Sequence, residues 1–285
     1  MAELVYLNGS LVPRPEARVS ATDRGLLYGD GLFETMRIEA GRALYLQEHL
    51  ARLAAGAQFL QIPSLPPGDL WQAVALTIAA NDVAEGSLRL TLTRGEGTGP
   101  DPVAEAGPTL VINVRSGLPY RKEQYLNGFR VRLASFRRDS SSPLCRVKSL
   151  NFLPNVLARR EAKAAGGDEG LFLNGEGNLC EGAVSNLFLR EKGRLITPPE
   201  DSGILPGITR RMVMDTARGA GHEVLEEEIT PARLGQAEEA FLTNSLLEIM
   251  PLVAVDERPV GRGVPGPLTG RLMELYRLRK GAARR

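Results

Sequence analysis

Hydrophobic and polar positions alternate along some stretches of this chain and recur at helical spacing along others. "ELVYLNG" and "SLVPRPEARVS" read as two strands joined at Asn8-Gly9, a residue pair suited to a tight hairpin turn. "GLLYGDGLFETMRIEAGRALYL" alternates in its second half and turns at Ala40-Gly41, which predicts another hairpin. "QEHLARLAAGAQFLQI" places apolar residues at 50, 53, 54, 57 and 60, the stripe of an amphipathic helix. "GDLWQAVALTIAANDV" predicts a second helix starting near Asp69. "GSLRLTLTRGEG" and "PTLVINVRS" predict strands on either side of a Gly- and Pro-rich acidic loop, 95–108, a candidate active-site flap.

The pattern breaks at "GLPYRKEQYLNG", 117–128. We therefore expect a small α/β domain over 1–118, a linker over 119–127 and a larger domain over 128–285. In the second part, "FRVRLAS" predicts a strand and "CRVKSLNFLPNVLARREAK" runs into a helix ending near Ala165. "EGLFLNGEGNLCEGAVSNLFLREKGRLITP" predicts four short strands, with turns at Gly175 to Gly177 and at Lys192-Gly193. "LPGITRRMVMDTARGAG" is a turn into a helix, "EEAFLTNSLLEIMPLVAVD" is mostly strand, and "PLTGRLMELYRLRK" is a closing helix. Strands and helices mix without strict alternation, so the fold class is α+β in two domains.

Composition narrows the chemistry. The chain has 285 residues, 43% hydrophobic and 24% charged, which suits a soluble globular protein. A net charge of +1 gives no electrostatic case for nucleic acid or an anionic membrane. No apolar run approaches the roughly 20 residues of a membrane span. The N-terminus lacks the basic region and apolar core of a signal peptide, so a cytoplasmic location is expected, with Cys145 and Cys180 as thiols. Lys148-Ser149 follows valine rather than glycine, so the P-loop pattern fails, and "GEGTGP" does not open a helix as a dinucleotide fingerprint would. His49, His222 and the two cysteines are not at ligand spacing, and no metal site is expected. His49 reads as a polar or packing residue on a helix.

Lys148 stands out. The chain has five lysines (122, 148, 163, 192, 280) within a Lys+Arg total of 35. An arginine would serve as a surface charge; a lysine is needed where the nitrogen must lose its proton and attack a carbonyl. If this stretch is extended, Arg146 and Lys148 share a face, and the neighbouring charge favours a neutral amine. On spacing alone, a solvated lysine before a helix is the favoured reading. "LPGIT" before "RRMVMDTA" is likewise either a glycine turn that offers helix N–H groups to a phosphate or an ordinary helix start.

"DRGLLYGDGLFETMR", "RVKSLNFLPNVLARREAK", "CEGAVSNLF", "DSGILPGITRR" and "TNSLLEIMPL" resemble, in order, the fold-type IV pyridoxal-phosphate enzymes. That family includes branched-chain and D-amino acid aminotransferases and 4-amino-4-deoxychorismate lyases. The resemblance implies a small N-terminal domain and a larger C-terminal one with a pseudo-barrel sheet. It also implies pyridoxal 5'-phosphate held between the two, and a homodimer. It makes Lys148 the Schiff-base lysine and Glu181 the partner of the pyridine nitrogen, where an anion favours the protonated ring that takes up electrons. It makes Gly207, Ile208 and Thr209 a phosphate-binding turn, Asn244 and Ser245 a second such turn, and Arg52 the phosphate arginine. Phe152 departs from the pattern: several branched-chain enzymes have a tyrosine there that touches the ring hydroxyl.

The loop "TRGEGTGPD" lacks the Arg-x-His carboxylate trap of the D-amino acid aminotransferases. "TNSLLEIMP" with "LYGDGLFETMR" looks most like the deoxychorismate lyases, which release pyruvate and leave 4-aminobenzoate, a step of folate biosynthesis. The expected activity is therefore lyase, with an aminotransferase acting on branched-chain amino acids, D-amino acids or (R)-amines as the alternative. A lyase substrate carries two carboxylates, so Arg37 and Arg89 are expected at the substrate, together with Tyr28 and Thr35.

Overall fold

The computed structural model describes residues 3–63, 65–101 and 107–282, so the middle of the 95–108 flap lies outside the described residues. The chain forms two compact units. One runs to Pro119 and includes Val147–Asn151; the other is Tyr120–Arg146 with Phe152 onward.

The first unit contains β1 (Leu4–Leu7), β2 (Ser10–Pro13), α1 (Arg24–Tyr28), β3 (Gly31–Glu39), β4 (Arg42–Ala43), α2 (Leu46–Leu60), α3 (Pro67–Ala80), β5 (Gly86–Thr93) and β6 (Thr109–Ser116). Its six strands lie in the order β2-β1-β6-β5-β3-β4, each antiparallel to its neighbours. Both expected hairpins are present, with positive φ at Asn8 and Gly9 and at Ala40 and Gly41. The first is shorter than expected: Pro13 ends β2, and Arg14–Glu16 form a 3-10 turn. α3 begins two residues before Asp69, because Pro67 is pre-shaped for the first helical position.

One face of this sheet is apolar. Leu32, Met36 and Ile38 of β3, Leu88, Leu90 and Leu92 of β5, and Leu110, Ile112 and Val114 of β6 pack on α2 and α3. Strand alternation sends the intervening side chains to the other face. There, Thr35 stands opposite Arg89 and Arg89 opposite Asn113, with Arg37, Ser87 and Arg115 in the next row.

Val147–Asn151 was expected in the second domain but belongs to the first unit. β4 pairs only with Ile38 and Glu39, which leaves the start of that β3 edge unpaired. The segment fills it: Phe33 N donates to Lys148 O at 3.0 Å, Leu150 N donates to Gly31 O at 2.9 Å, and Leu32 bridges Ser149. The expected linker is not extended; it holds α4 (Lys122–Asn127), which belongs to the second unit.

The second unit continues with β7 (Phe129–Leu133), α5 (Leu153–Ala164), β8 (Glu169–Leu173), β9 (Leu179–Gly182), β10 (Asn186–Glu191), β11 (Arg194–Thr197), α6 (Ile208–Gly219), β12 (Val224–Glu226), α7 (Pro231–Gly235), β13 (Glu239–Asn244), β14 (Glu248–Val255), β15 (Arg258–Pro259) and α8 (Pro267–Ala282). The path β10-β13-β14-β7-β8-β9 closes on itself, because Glu181 of β9 pairs with Asn186 of β10. This is the expected pseudo-barrel. Its interior is built from Phe129, Val131, Leu171, Leu187, Leu242 and Leu252 among others. β13 and β14 are separate strands, divided by a turn at 245–247.

Leu88 is fully buried in the middle of the first sheet. Leu88→Ala should cost about 2–5 kcal/mol, through lost transfer energy and the cavity left behind. Denaturant unfolding with an unchanged m-value would measure it.

Candidate active site

Lys148 sits on an extended segment whose backbone is bonded to β3, so its Cα is fixed by the sheet. Its Nζ lies 4.4 Å from the centroid of the Phe33 ring, and the Arg89 guanidinium carbon lies 3.9 Å from the same centroid. Both side chains are therefore gathered at one aromatic ring. The pairing with Arg146 expected from an extended run is absent, because Arg146 closes a 3-10 turn, Pro143–Arg146.

Behind this strand, on its helix-covered face, lies a buried polar group. Glu34 is 1% exposed and follows Leu32 in the core-facing phase of β3. Its Oε1 accepts from Arg52 Nε at 2.7 Å, and its Oε2 accepts from Arg52 Nη2 at 2.7 Å and meets His49 Nδ1 at 2.6 Å. Burial pushes the Glu34 carboxyl up, but Arg52 and His49 outweigh it and hold the group at about 2. Burial dominates at His49 and lowers its pKa despite the attraction of Glu34. Arg52 is thus a guanidinium oriented by a buried carboxylate. Sequence reasoning missed Glu34. The available signal was an acid at an apolar phase, in "LFETM", two residues from Leu32 on one side and from Met36 on the other.

In the second unit, Glu181 is 5% exposed. Its Oε1 pairs with Arg138 Nη2 at 3.0 Å, and its Oε2 accepts from Asn186 Nδ2 at 3.1 Å and Leu205 N at 2.9 Å. An arginine, an amide and a backbone N–H thus converge on this carboxylate. Asn186 Nδ2 also donates to Leu205 O at 2.9 Å, which ties the barrel to the turn that enters α6. Gly207 caps α6, and no side chain caps the helix there. A Cβ on Gly207 would strike Asn186 Oδ1. Ile208 and Thr209 form the buried first turn, and Arg210 anchors it to Pro198 O at 2.9 Å and Glu226 at 2.8 Å. A helix start with open N–H groups and no capping side chain suits an anion.

Asn244 ends β13, and its side chain is committed to the fold. Oδ1 accepts from Leu246 N and Leu247 N, both at 2.8 Å, and Nδ2 donates to Val184 O at 2.9 Å. It therefore shapes the turn that presents Ser245 and ties it to the turn after Glu181. Glu169 supports that second turn from within. It is fully buried and accepts from Val184 N at 3.0 Å and Arg159 at 3.2 Å. Burial outweighs these partners and pushes the carboxyl up to about 7. Nothing in the sequence distinguished it from an ordinary strand glutamate. Phe152 is the N-cap residue of α5.

The expected substrate residues all fall in the first unit. Tyr28 is exposed at the end of α1, with the Arg24 guanidinium 5.0 Å over its ring. Thr35, Arg37 and Arg89 lie on the open sheet face, where Arg37 Nε pairs with Glu39 Oε1 at 2.9 Å. Among the described residues, no group of three or more His, Cys, Asp or Glu could hold a metal, and no helix is long and apolar enough to cross a membrane.

The model of the family described as amino-transferase class IV matches residues 31–255. The chain belongs to this family. It is 37% identical to a putative branched-chain-amino-acid aminotransferase of Methanocaldococcus jannaschii, over 96% of this chain and 95% of that one. It is 34% identical to an aminodeoxychorismate lyase of Bacillus subtilis, over 96% and 94%. A T.th. branched-chain amino acid aminotransferase, solved with pyridoxamine 5'-phosphate, superimposes with a TM-score of 0.92 at 30% identity, covering 98% of this chain and 94% of that one. The family carries a fold-type IV architecture, as the resemblance implied.

The two buried glutamates titrate in opposite directions. The depressed Glu34 carboxyl contributes stability that is present above its unfolded value of 4.5 and is lost as the pH falls towards about 2. The raised Glu169 carboxyl contributes stability that is present below 4.5 and is lost as the pH rises through about 7. Glu34→Gln should therefore lose stability at pH 7 and flatten the acid limb of unfolding free energy against pH. Glu169→Gln should instead remove the slope between pH 4.5 and 7. Urea unfolding at a series of pH values tests both, and parallel curves for wild type and variants would contradict them.

Proposed function

We propose that this chain is a pyridoxal 5'-phosphate-dependent aminotransferase acting on amino acids with one carboxylate. The residues present fit the cofactor. Lys148 supplies the amine for covalent attachment, and Glu181 is a fixed anion for the ring nitrogen. The uncapped start of α6 at Gly207, Ile208 and Thr209 suits a phosphate, as do the Ser245 turn and Arg52. The glycine at 207 lets this turn pass close against Asn186 Oδ1, which a Cβ would strike. When bound, the cofactor supplies an electron sink that lets the amine-bearing carbon ionise.

The chain's own residues do the rest. Lys148, once displaced by the substrate amine, is the base that removes the proton from that carbon and the acid that returns it. Its neighbour Arg89 stands at the same Phe33 ring. Glu34 holds Arg52 in one orientation, so an anion there meets a fixed fork rather than a mobile side chain.

One observation carries the choice of substrate. Among the described residues Arg89 takes no carboxylate, and it shares the Phe33 ring with Lys148, whereas Arg37 is paired with Glu39. One free guanidinium beside the reacting amine matches one carboxylate. The 37%-identical relative named as an aminotransferase supports the same reading. The second reading is 4-amino-4-deoxychorismate lyase, supported by the 34%-identical relative of that name. Its substrate has two carboxylates, and Arg37 would have to leave Glu39 to meet the second.

We further propose that the protein is a homodimer. Leu153, Val156 and Leu157 form an exposed apolar stripe on α5 that a second copy would cover.

Amino exchange between leucine or valine and a 2-oxo acid with one carboxylate, such as pyruvate, is the expected activity. Formation of 4-aminobenzoate and pyruvate from aminodeoxychorismate, with no exchange, would overturn it in favour of the lyase. Lys148→Ala should abolish turnover and the visible absorbance of the cofactor-loaded protein. Arg89→Gln should raise the KM for the amino acid roughly 10–100-fold, the weight of a charged hydrogen-bonded pair, with the absorbance retained.

A further inference from the structure

Asp30 lies between Gly29, which caps α1, and Gly31, which opens β3. Its carboxylate gathers two nearly buried guanidinium groups. Oδ2 accepts from Arg24 Nε at 2.9 Å and from Arg94 Nε at 2.7 Å, and Oδ1 accepts from Arg94 Nη2 at 3.2 Å. Each arginine directs its other donors to backbone carbonyls of a different segment. Arg24 Nη1 donates to Gly99 O at 2.6 Å and Asp101 O at 3.0 Å, and Nη2 to Pro100 O at 3.1 Å. Arg94 donates to Gln61 O at 2.7 Å and Leu60 O at 2.5 Å, at the C-terminal end of α2. Three successive carbonyls of the loop after β5 thus converge on one cation.

The same hub reaches two candidate active-site elements. The Arg24 guanidinium lies over the ring of Tyr28. The backbone on either side of Asp30 carries the Lys148 segment: Gly29 O accepts from Asn151 Nδ2 at 3.1 Å, and Gly31 O accepts from Leu150 N at 2.9 Å. A half-buried carboxylate with two buried arginines is costly unless every group is placed. Here the placement fastens a loop rather than a sheet or a helix. The loop's other ties are Arg24 N to Gly95 O at 2.9 Å, a bridge between Asp23 and Glu96, Gly97 N to Thr22 O at 3.3 Å, and the exposed hydroxyls of Ser20 and Thr22 on Glu96, each at 2.9 Å.

We propose that Asp30, acting through Arg24 and Arg94, is the positioning residue that sets loop 95–101 and Tyr28 relative to Lys148, and so governs which amine substrates are accepted. The substrate part rests on the function proposed above. Burial pushes the Asp30 carboxyl up, but the two arginines outweigh it and keep it below its usual value, so the hub stays charged at neutral pH.

The test uses the cofactor-loaded protein with Asp30→Asn and Arg24→Lys; the second keeps the charge but loses the planar fork, and it stands in if the first fails to fold. Hydrogen exchange should accelerate roughly tenfold or more at the Gly97 amide, which donates to Thr22, and at the Arg24 amide, which donates to Gly95. The Phe33 and Leu150 amides should keep their rates, and the visible absorbance should be unchanged. KM should rise about tenfold, and the preference between small and large amino acids should shift, with kcat falling far less. Unchanged loop exchange would overturn the proposal. So would equal acceleration at Phe33 and Leu150, which marks general loosening, or a freed loop with unaltered KM and preference. A wild type that turns over no amino acid defeats the function proposed above, while the exchange pattern still decides whether Asp30 fastens the loop.

Discussion

The site in the first unit depends on a short backbone seam. Two hydrogen bonds and one bridge join Gly31–Phe33 to Lys148–Leu150 along an edge of β3 that β4 leaves open. A lysine on a free loop would sample many positions and keep its proton in water. Stitched to a sheet edge, its Cα is as fixed as a strand residue's, and its ammonium comes to rest on the Phe33 ring. Phe33 is in turn placed by β-alternation, which sends Leu32 and Glu34 to the helices and Phe33, Thr35 and Arg37 to the open face. One strand therefore serves both the apolar core and the candidate chemistry.

The same alternation explains what the sequence made legible. Hairpin turns, the two long helices and the strands of the first unit follow from period and turn chemistry, because each is set by local rules. Lys148 was legible as a residue type, and the five matching stretches implied its role. Its membership of the first unit was not legible, because the seam joins residues more than a hundred positions apart and no periodicity encodes it. The expected 119–127 linker differs for a local reason: "KEQYLN" has enough helical preference to close one turn, and Gln124 Oε1 accepts from Arg121 N at its start at 2.9 Å. Asn244 illustrates a subtler limit. The motif marked the right turn, but only the geometry shows that its amide is bound to backbone groups and shapes the turn for Ser245.

Buried charge separates structural from chemical roles here. Glu34 and Glu169 are the same residue type, on strands, almost equally buried. Glu34 has a bidentate arginine and a histidine, and the attraction exceeds the desolvation cost, so it is a permanent anion. Glu169 has one partly exposed arginine and backbone N–H groups, and desolvation prevails. The count and orientation of cationic partners, rather than depth, decide which carboxylate keeps its charge. Glu181, with Arg138, Asn186 and Leu205 N, belongs with Glu34. Under the proposed function, an anion beside a heteroaromatic nitrogen has to remain ionised, and donors such as these favour that.

Asp30 extends the same logic from one side chain to a loop. A lone carboxylate in that position would be protonated or would draw in water. With Arg24 and Arg94 it stays charged, and the arginines remain oriented because their other donors reach carbonyls at Leu60, Gln61 and Gly99 to Asp101. The loop needs no apolar packing of its own to hold a conformation, which suits a segment of glycine, proline and acidic residues that has little to bury. Its sequence can then vary around the site while the anchor stays the same. In this chain the loop offers glycine and threonine, and Arg89 is the cation of the sheet face that shares the Phe33 ring with Lys148. Under the proposed function, the selectivity of the site would be divided between the Arg89 guanidinium on the sheet and a loop tied from behind to Asp30.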